Sequence, residues 1–132
     1  MTPARRLLPV LSRALLAVLA MLAAPPLRAE IVEIRWTAEQ RFEHRFSVAP
    51  GKFAELCGAL VQGAEVRWAY ESDAALDFNV HYHVGREVVY PVRQPAQAQA
   101  AGTLVAAVAQ DYCWMWTNRG ARPVALVVRL AR

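Results

Sequence analysis

The chain has 132 residues, with 15 Lys+Arg against 11 Asp+Glu and a formal charge of +4. Taken whole, such a basic balance would point to nucleic acid or an anionic membrane. The placement of the charges removes that reading: Arg5, Arg6, Arg13 and Arg28 precede residue 30 and no acid does, so the rest holds 11 basic groups against 11 acidic ones. The length excludes a multidomain enzyme, a TIM barrel or a full dinucleotide fold, and leaves room for one domain of about 100 residues.

Residues 1–29 read as a secretory signal peptide. Arg5, Arg6 and Arg13 form a basic start, residues 14–24 (ALLAVLAMLAA) an apolar run, and Pro25-Pro26 a break before Leu27-Arg28-Ala29, with cleavage expected ahead of Glu30. The alternative is an uncleaved anchor, but the apolar run falls well short of the ~20 residues a membrane span needs. Export places residues 30–132 in the periplasm or outside the cell, with no stable anchor after cleavage. The compartment is then oxidising, and Cys57 and Cys113 allow one intramolecular disulfide. Closing that loop would stabilise the fold by about 4 kcal/mol in the chain-entropy model. Two buried free thiols or a soft-metal site are the alternatives.

The apolar pattern after residue 30 has period two. Val32, Ile34 and Trp36 alternate with Glu33 and Arg35; Phe42, His44, Phe46 and Val48 alternate with Arg41, Glu43, Arg45 and Ser47. Pro50-Gly51 signals a turn, and the mixed stretch 52–60 suits a strand or one helical turn. Val66, Trp68 and Tyr70 mark the next strand, and Glu71-Ser72-Asp73 reads as a turn. Residues 76–84 then put Leu76, Phe78, Val80, Tyr82 and Val84 inward, with Asp77, Asn79, His81 and His83 outward. Gly85-Arg86 is a tight turn before a strand at 87–92. Residues 93–102 (RQPAQAQAAG) lack alternation and read as a long loop, a short Ala-rich helix being the other option. Tyr112, Trp114 and Trp116 share one parity, Asn118-Arg119-Gly120 is a turn, and 123–130 is a closing strand. Seven or eight short strands at this spacing predict an all-β, antiparallel β-sandwich.

Catalytic material is sparse. Ser47 and Ser72 are the only serines after residue 30, and neither sits in a Gly-x-Ser-x-Gly setting. There is no glycine-rich phosphate loop, and a neutral exported domain is a poor partner for nucleic acid. His81 and His83 project from one strand face ~6.5–7 Å apart at Cα, so both can reach one copper or zinc ion, with Met115 or His44 as possible further ligands. A solvated strand face gives the same alternation without any metal. Trp114 and Trp116, with Trp68 and Tyr112, either line an apolar pocket or fill the sandwich core. The neutral charge balance turns attention to 77–83 and to the Trp114/Trp116 strand.

The order Val66-Arg-Trp68-Ala-Tyr70, Leu76-Asp-Phe78-Asn-Val80, Gly85, Val88-Val89-Tyr90, Tyr112-Cys-Trp114-Met-Trp116-Thr-Asn118 and Val124, Val128, Leu130 resembles a GOLD (Golgi dynamics) domain over about residues 41–131. The resemblance implies a compact, jelly-roll-like β-sandwich used for protein–protein contact. GOLD cargo receptors pair a cysteine ahead of the Trp68-like strand with one in the Tyr-to-Asn strand. Cys57 fits the first place; the second would fall at Met115, and here a cysteine stands at Cys113 on the same strand face. The sequence thus predicts an exported non-enzymatic binding module for a protein or small ligand of the cell envelope. Asp77, Asn79, Trp114, Trp116 and Asn118 are its expected binding surface. No cofactor is expected, and a copper or zinc protein using His81 and His83 is the alternative.

Overall fold

The computed structural model describes residues 29–132. Of the expected signal segment, residues 1–29, all but the last lie outside the described residues. The described part is all-β: β1 (Glu30–Glu33), β2 (Arg41–Val48), β3 (Phe53–Leu60), β4 (Glu65–Val84), β5 (Glu87–Val105), β6 (Gln110–Thr117) and β7 (Val124–Ala131). The strands follow the order β1-β3-β6-β4-β7-β2, and β5 pairs with β4 off that path. All pairs are antiparallel except β1 with β3. A parallel pair needs a crossover, and β2, lying in the other layer, supplies it. The sheet is mixed and nearly closed: the end strand β2 passes through the turn at 49–52 into β3, the neighbour of the other end strand β1.

Two expectations about the chain path do not hold. Glu71-Ser72-Asp73 does not reverse the chain; it lies inside β4, a single strand of 20 residues. The even-numbered residues from Val66 to Tyr82 keep facing the core across this point, so the strand bends without changing parity. The first part of β4 pairs with β7 (Arg67 to Ser72) and the second with β6 (Asp77 to His81). Side chains satisfy the backbone groups that the bend takes out of the ladder. Ser72 Oγ donates to Ala74 O (2.7 Å) and contacts Ala98 O (2.9 Å), while Asp73 Oδ1 accepts from Ala125 N–H (2.9 Å). The turn-favouring residues are real signals for local side-chain-to-backbone bonds, but they stabilise a kink.

The segment 93–102 is likewise strand, not loop: it forms the middle of β5 and runs against β4 with shifts of register. β5 pairs only with β4, and its Pro91 and Pro95 suit an unpaired edge, where a missing N–H costs nothing in the ladder. Ala96 takes a left-handed φ of 48° at the irregularity, and its N–H is bound by the Asp77 carboxylate (3.0 Å).

The core lies between the two layers and is dominated by rings. Phe78 sits 5.3 Å from Trp116, 5.0 Å from Tyr70 and 4.8 Å from Trp68, centroid to centroid. Tyr82 and Tyr112 meet at 4.9 Å with their rings tilted. Such pairs add to the area term through their quadrupoles. Burial also strands polar atoms: the indole N–H groups of Trp114 and Trp116 and the Tyr70 hydroxyl find no partner among the described residues. Loss of solvation pushes the Tyr70 hydroxyl up to about 12, so it stays neutral.

Gly102 of β5 lies opposite Trp68. A Cβ there would sit 2.6 Å from Trp68 Cζ2 and 2.9 Å from Cε2, inside contact distance of a ring that the core holds in place. Gly102→Ala is therefore expected to destabilise by about 1–3 kcal/mol through overpacking, lowering Tm by roughly 5–15 °C. A thermal melt of this variant with Tm unchanged contradicts this packing.

Candidate functional site

The outward face of the layer β1-β3-β6-β4-β5 carries a cluster of polar residues. Register sets one row as Ile31, Glu55, Met115, Asn79 and Arg93, and the next as Glu33, Cys57, Cys113 and His81. Outward strand residues are ordinarily solvated, yet Glu55 is 8% and His81 5% exposed. They meet: His81 Nε2 lies 3.1 Å from Glu55 Oε1, and His81 Nδ1 2.8 Å from Asn79 Oδ1. Both ring nitrogens are thus engaged, which fixes the imidazole between β3 and its own strand. His83, exposed, stacks edge-on against His81 at 5.3 Å, and Tyr90 lies 5.8 Å from the same ring. The Arg93 guanidinium covers the other ring, 3.7 Å from the Tyr90 centroid, a cation–π contact. Cys57 and Cys113 form a disulfide between directly opposed residues of β3 and β6.

Beside this cluster lies a groove of about 440 Å³ lined by residues that include Asp77, Asn79, Tyr90, Arg93, Met115 and Arg119. Asp77 accepts from Arg119 Nε (2.8 Å) and from Ala96 N–H. The Arg119 guanidinium and the Ala96 N–H hold its carboxyl below the ordinary carboxylate value. Beyond the groove the β4–β5 hairpin outruns its neighbours. Pairing of β6 with β4 stops at His81, while β4 and β5 continue to Val84 and Glu87. Gly85 turns the chain with φ 58°. The free tip shows Val84 (51% exposed), Val88 (38%) and Tyr90 (38%).

Of the residues expected to form a binding surface, Asp77 and Asn79 line this groove. Trp114, Trp116 and Asn118 do not reach the surface. The tryptophans face the core because their parity on β6 matches Tyr112. Asn118 is a buried clasp: its Nδ2 donates to Val48 O (2.9 Å) and Arg122 O (2.7 Å), and its Oδ1 accepts from Gly120 N–H (2.8 Å). It ties the β6–β7 loop to the end of β2. His81 and His83 are adjacent, but His44 lies on β2, where its Nε2 faces Glu30 at 3.4 Å. Among the described residues, one group of three donors of metal-binding type converges: Glu55, His81 and Cys113. His83 is not in it.

Glu55, Tyr90, Arg93 and Arg119 were not singled out from sequence. Glu55 had a signal: in FAELCGAL, Ala54, Leu56 and Leu60 share a parity, which puts Glu55 on the face of Cys57. Among the described residues, no helix is long and apolar enough to cross a membrane.

No protein-family model matches the sequence, nor does any curated protein. Solved structures do match in fold. The periplasmic lysozyme inhibitor of g-type lysozyme, PliG, from Aeromonas hydrophila superposes with TM-score 0.55 at 13% identity, over 78% of this chain and 97% of that one. PliG from Salmonella Typhimurium gives 0.53 at 9%, over 78% and 97%. The pre-peptidase C-terminal domain of a Bacillus anthracis collagenase gives 0.56 at 8%, over 82% and 99%. At these identities the likeness is one of fold. None of the three is described as a GOLD domain.

The Asp77 clasp has a pH signature. A carboxyl held low in the folded state contributes stability above its unfolded value, ordinarily 3.8, and loses it as pH falls through the lower folded value. The stability difference between the wild type and Asp77→Asn is expected to be constant at neutral pH and to shrink below about pH 4. Denaturant titrations at several pH values check it; a difference that grows on acidification contradicts the clasp.

Proposed function

We propose that this chain is an exported, non-enzymatic binding module that docks a protein of the cell envelope through the β4–β5 hairpin and the groove behind it. The free hairpin tip carries the reading. Val84, Val88 and Tyr90 stand exposed on a strand pair that has outrun β6, and Tyr90 joins the tip to the groove. Interface anchors of this kind are enriched in Tyr and Arg, and the stacked Tyr90–Arg93 pair provides both. Two of the fold neighbours are inhibitors of g-type lysozyme in the periplasm, which supports a small β-rich exported protein acting by binding. The basic start and apolar run of residues 1–29 support export by signal peptide. GOLD-type kinship belongs to the same proposal: Cys57 ahead of the Trp68 segment fits it, while the second cysteine stands at Cys113 in place of Met115, on the same strand face. Of the copper or zinc site expected at His81 and His83, the two imidazoles are adjacent, and the convergent group of His, Cys, Asp and Glu donors among the described residues includes His81 and not His83.

A photo-activated residue placed at Val88 in the producing cells tests the proposal. The expected result is one discrete protein adduct in the envelope fraction, reduced at least tenfold by Arg93→Ala and absent when the probe stands at Arg122. Adducts no stronger at Val88 than at Arg122, or unaffected by Arg93→Ala, contradict docking through this surface.

A further inference from the structure

The disulfide sits within a larger group of donors. Cys57 opposes Cys113 on the β3–β6 ladder, Cys113 opposes His81 on the β6–β4 ladder, and Glu55 precedes Cys57 by two residues on the same face. A carboxylate oxygen of Glu55, a ring nitrogen of His81 and Cys113 Sγ all lie within 4.8 Å of one another. Cys57 Sγ is bonded to Cys113 Sγ. One sulfur, one nitrogen and one oxygen thus converge from three adjacent strands, and the second sulfur is held to the first by the disulfide. Zinc takes four such donors at about 2.0–2.3 Å, which sets tetrahedral donor–donor separations of roughly 3.3–3.8 Å. Glu55, His81 and Cys113 need to draw together by no more than about 1.5 Å to reach that geometry, and the two sulfurs, bonded in the disulfide, need to separate. A second observation marks the place. Glu55 and His81 are in contact with side chains only 10% and 7% exposed, on a face whose other charged residues are less buried. Burying a carboxyl group and an imidazole costs solvation that one contact between them often fails to repay. Asn79 holds Nδ1 of His81 and so directs Nε2 toward Glu55, an arrangement typical of the outer contacts that orient metal-bound imidazoles.

We propose that Cys57, Cys113, His81 and Glu55 form a redox-gated zinc site, closed to metal as the disulfide and opened by reduction. In the oxidised chain the two sulfurs are bonded to each other and offer no thiolate. A dithiol reductant opens the site: one of its thiolates attacks the S–S bond, a mixed disulfide forms, and its second thiol displaces the remaining protein sulfur. The dithiol leaves as a cyclic disulfide, oxidised by two electrons, and Cys57 and Cys113 become thiols. Zinc then replaces the two thiol protons, which pass to solvent, while His81 gives the lone pair of Nε2 and Glu55 one carboxylate oxygen. Neither Val88 nor Arg93, the residues that test the docking surface, belongs to the donor group, although Asn79, which holds His81, also lines the groove.

The test uses the purified chain in two states, oxidised, or reduced with dithiothreitol and desalted without oxygen, titrated with Co²⁺ and then Zn²⁺. One equivalent of Co²⁺ is expected to give thiolate charge-transfer absorption and tetrahedral d–d bands in the reduced protein only. Zn²⁺ should displace it with affinity at least a hundredfold above that of the oxidised form. Glu55→Gln and His81→Ala should each weaken zinc by about 10–100-fold and shift the d–d bands, and His83→Ala should leave both unchanged. Circular dichroism follows the strands throughout. If reduction unfolds the chain, restoration of strand signal by one equivalent of Zn²⁺ supports the site, and failure to restore it overturns it. Equal zinc affinity in the two states overturns it as well, as does unchanged affinity in Glu55→Gln and His81→Ala.

Discussion

Backbone pairing along β4 is the constraint from which the rest follows. This strand bonds to β5 along most of its length, to β7 over its first part and to β6 over its second. A single chain segment therefore belongs to both layers, and the two sheets are held face to face by covalent continuity. The bend that makes this possible leaves backbone groups without ladder partners. Ser72 and Asp73 take up those groups on one side and Asp77 does so for Ala96 on the other. Three short polar side chains thus stabilise a geometry that a regular strand pair would not hold.

The core and the outer face are both consequences of that strand. Its even-numbered residues deliver Trp68, Tyr70 and Phe78 to a ring cluster closed by Trp116. Its odd-numbered residues deliver Asp77, Asn79 and His81 to the opposite face, where β6 and β3 bring the disulfide and Glu55. Because the hairpin continues past the end of β6, the same strand also projects Val84 and, through β5, Val88 and Tyr90. Packing, polar cluster and exposed tip are therefore linked by register, and a one-residue slip of β4 would exchange the core and solvent sets of side chains.

Much of this was legible in the period-two pattern. The pairing of aromatic parity with burial, the tight turn at Gly85-Arg86 and an all-β sandwich follow from residue order alone. The parity shared by Val66–Tyr70 and Leu76–Tyr82 even contained the continuity of β4, but Glu71-Ser72-Asp73 masked it. Those residues favour local side-chain bonds, and such bonds serve a bend as well as a reversal. The segment 93–102 was hidden for a different reason. An edge strand that pairs on one side and faces solvent needs little apolar alternation, so Gln, Ala and Pro fit it. Trp114 and Trp116 were ambiguous because size and aromaticity suit both a core and a pocket, and only the position of the facing layer decides. Glu55 escaped notice because its role depends on β3 and β4 flanking β6, a relation between distant segments that no local pattern records.

Native-state hydrogen exchange along β4 tests the central role of this strand most directly. If β4 holds both layers as one unit, the amides of Val66, Trp68 and Tyr70 and those of Phe78 and Val80 exchange with the same opening free energy, equal to that of global unfolding. Opening of one of these two groups at a free energy lower than the other by more than about 2 kcal/mol would show two separately stable sheets and contradict the account.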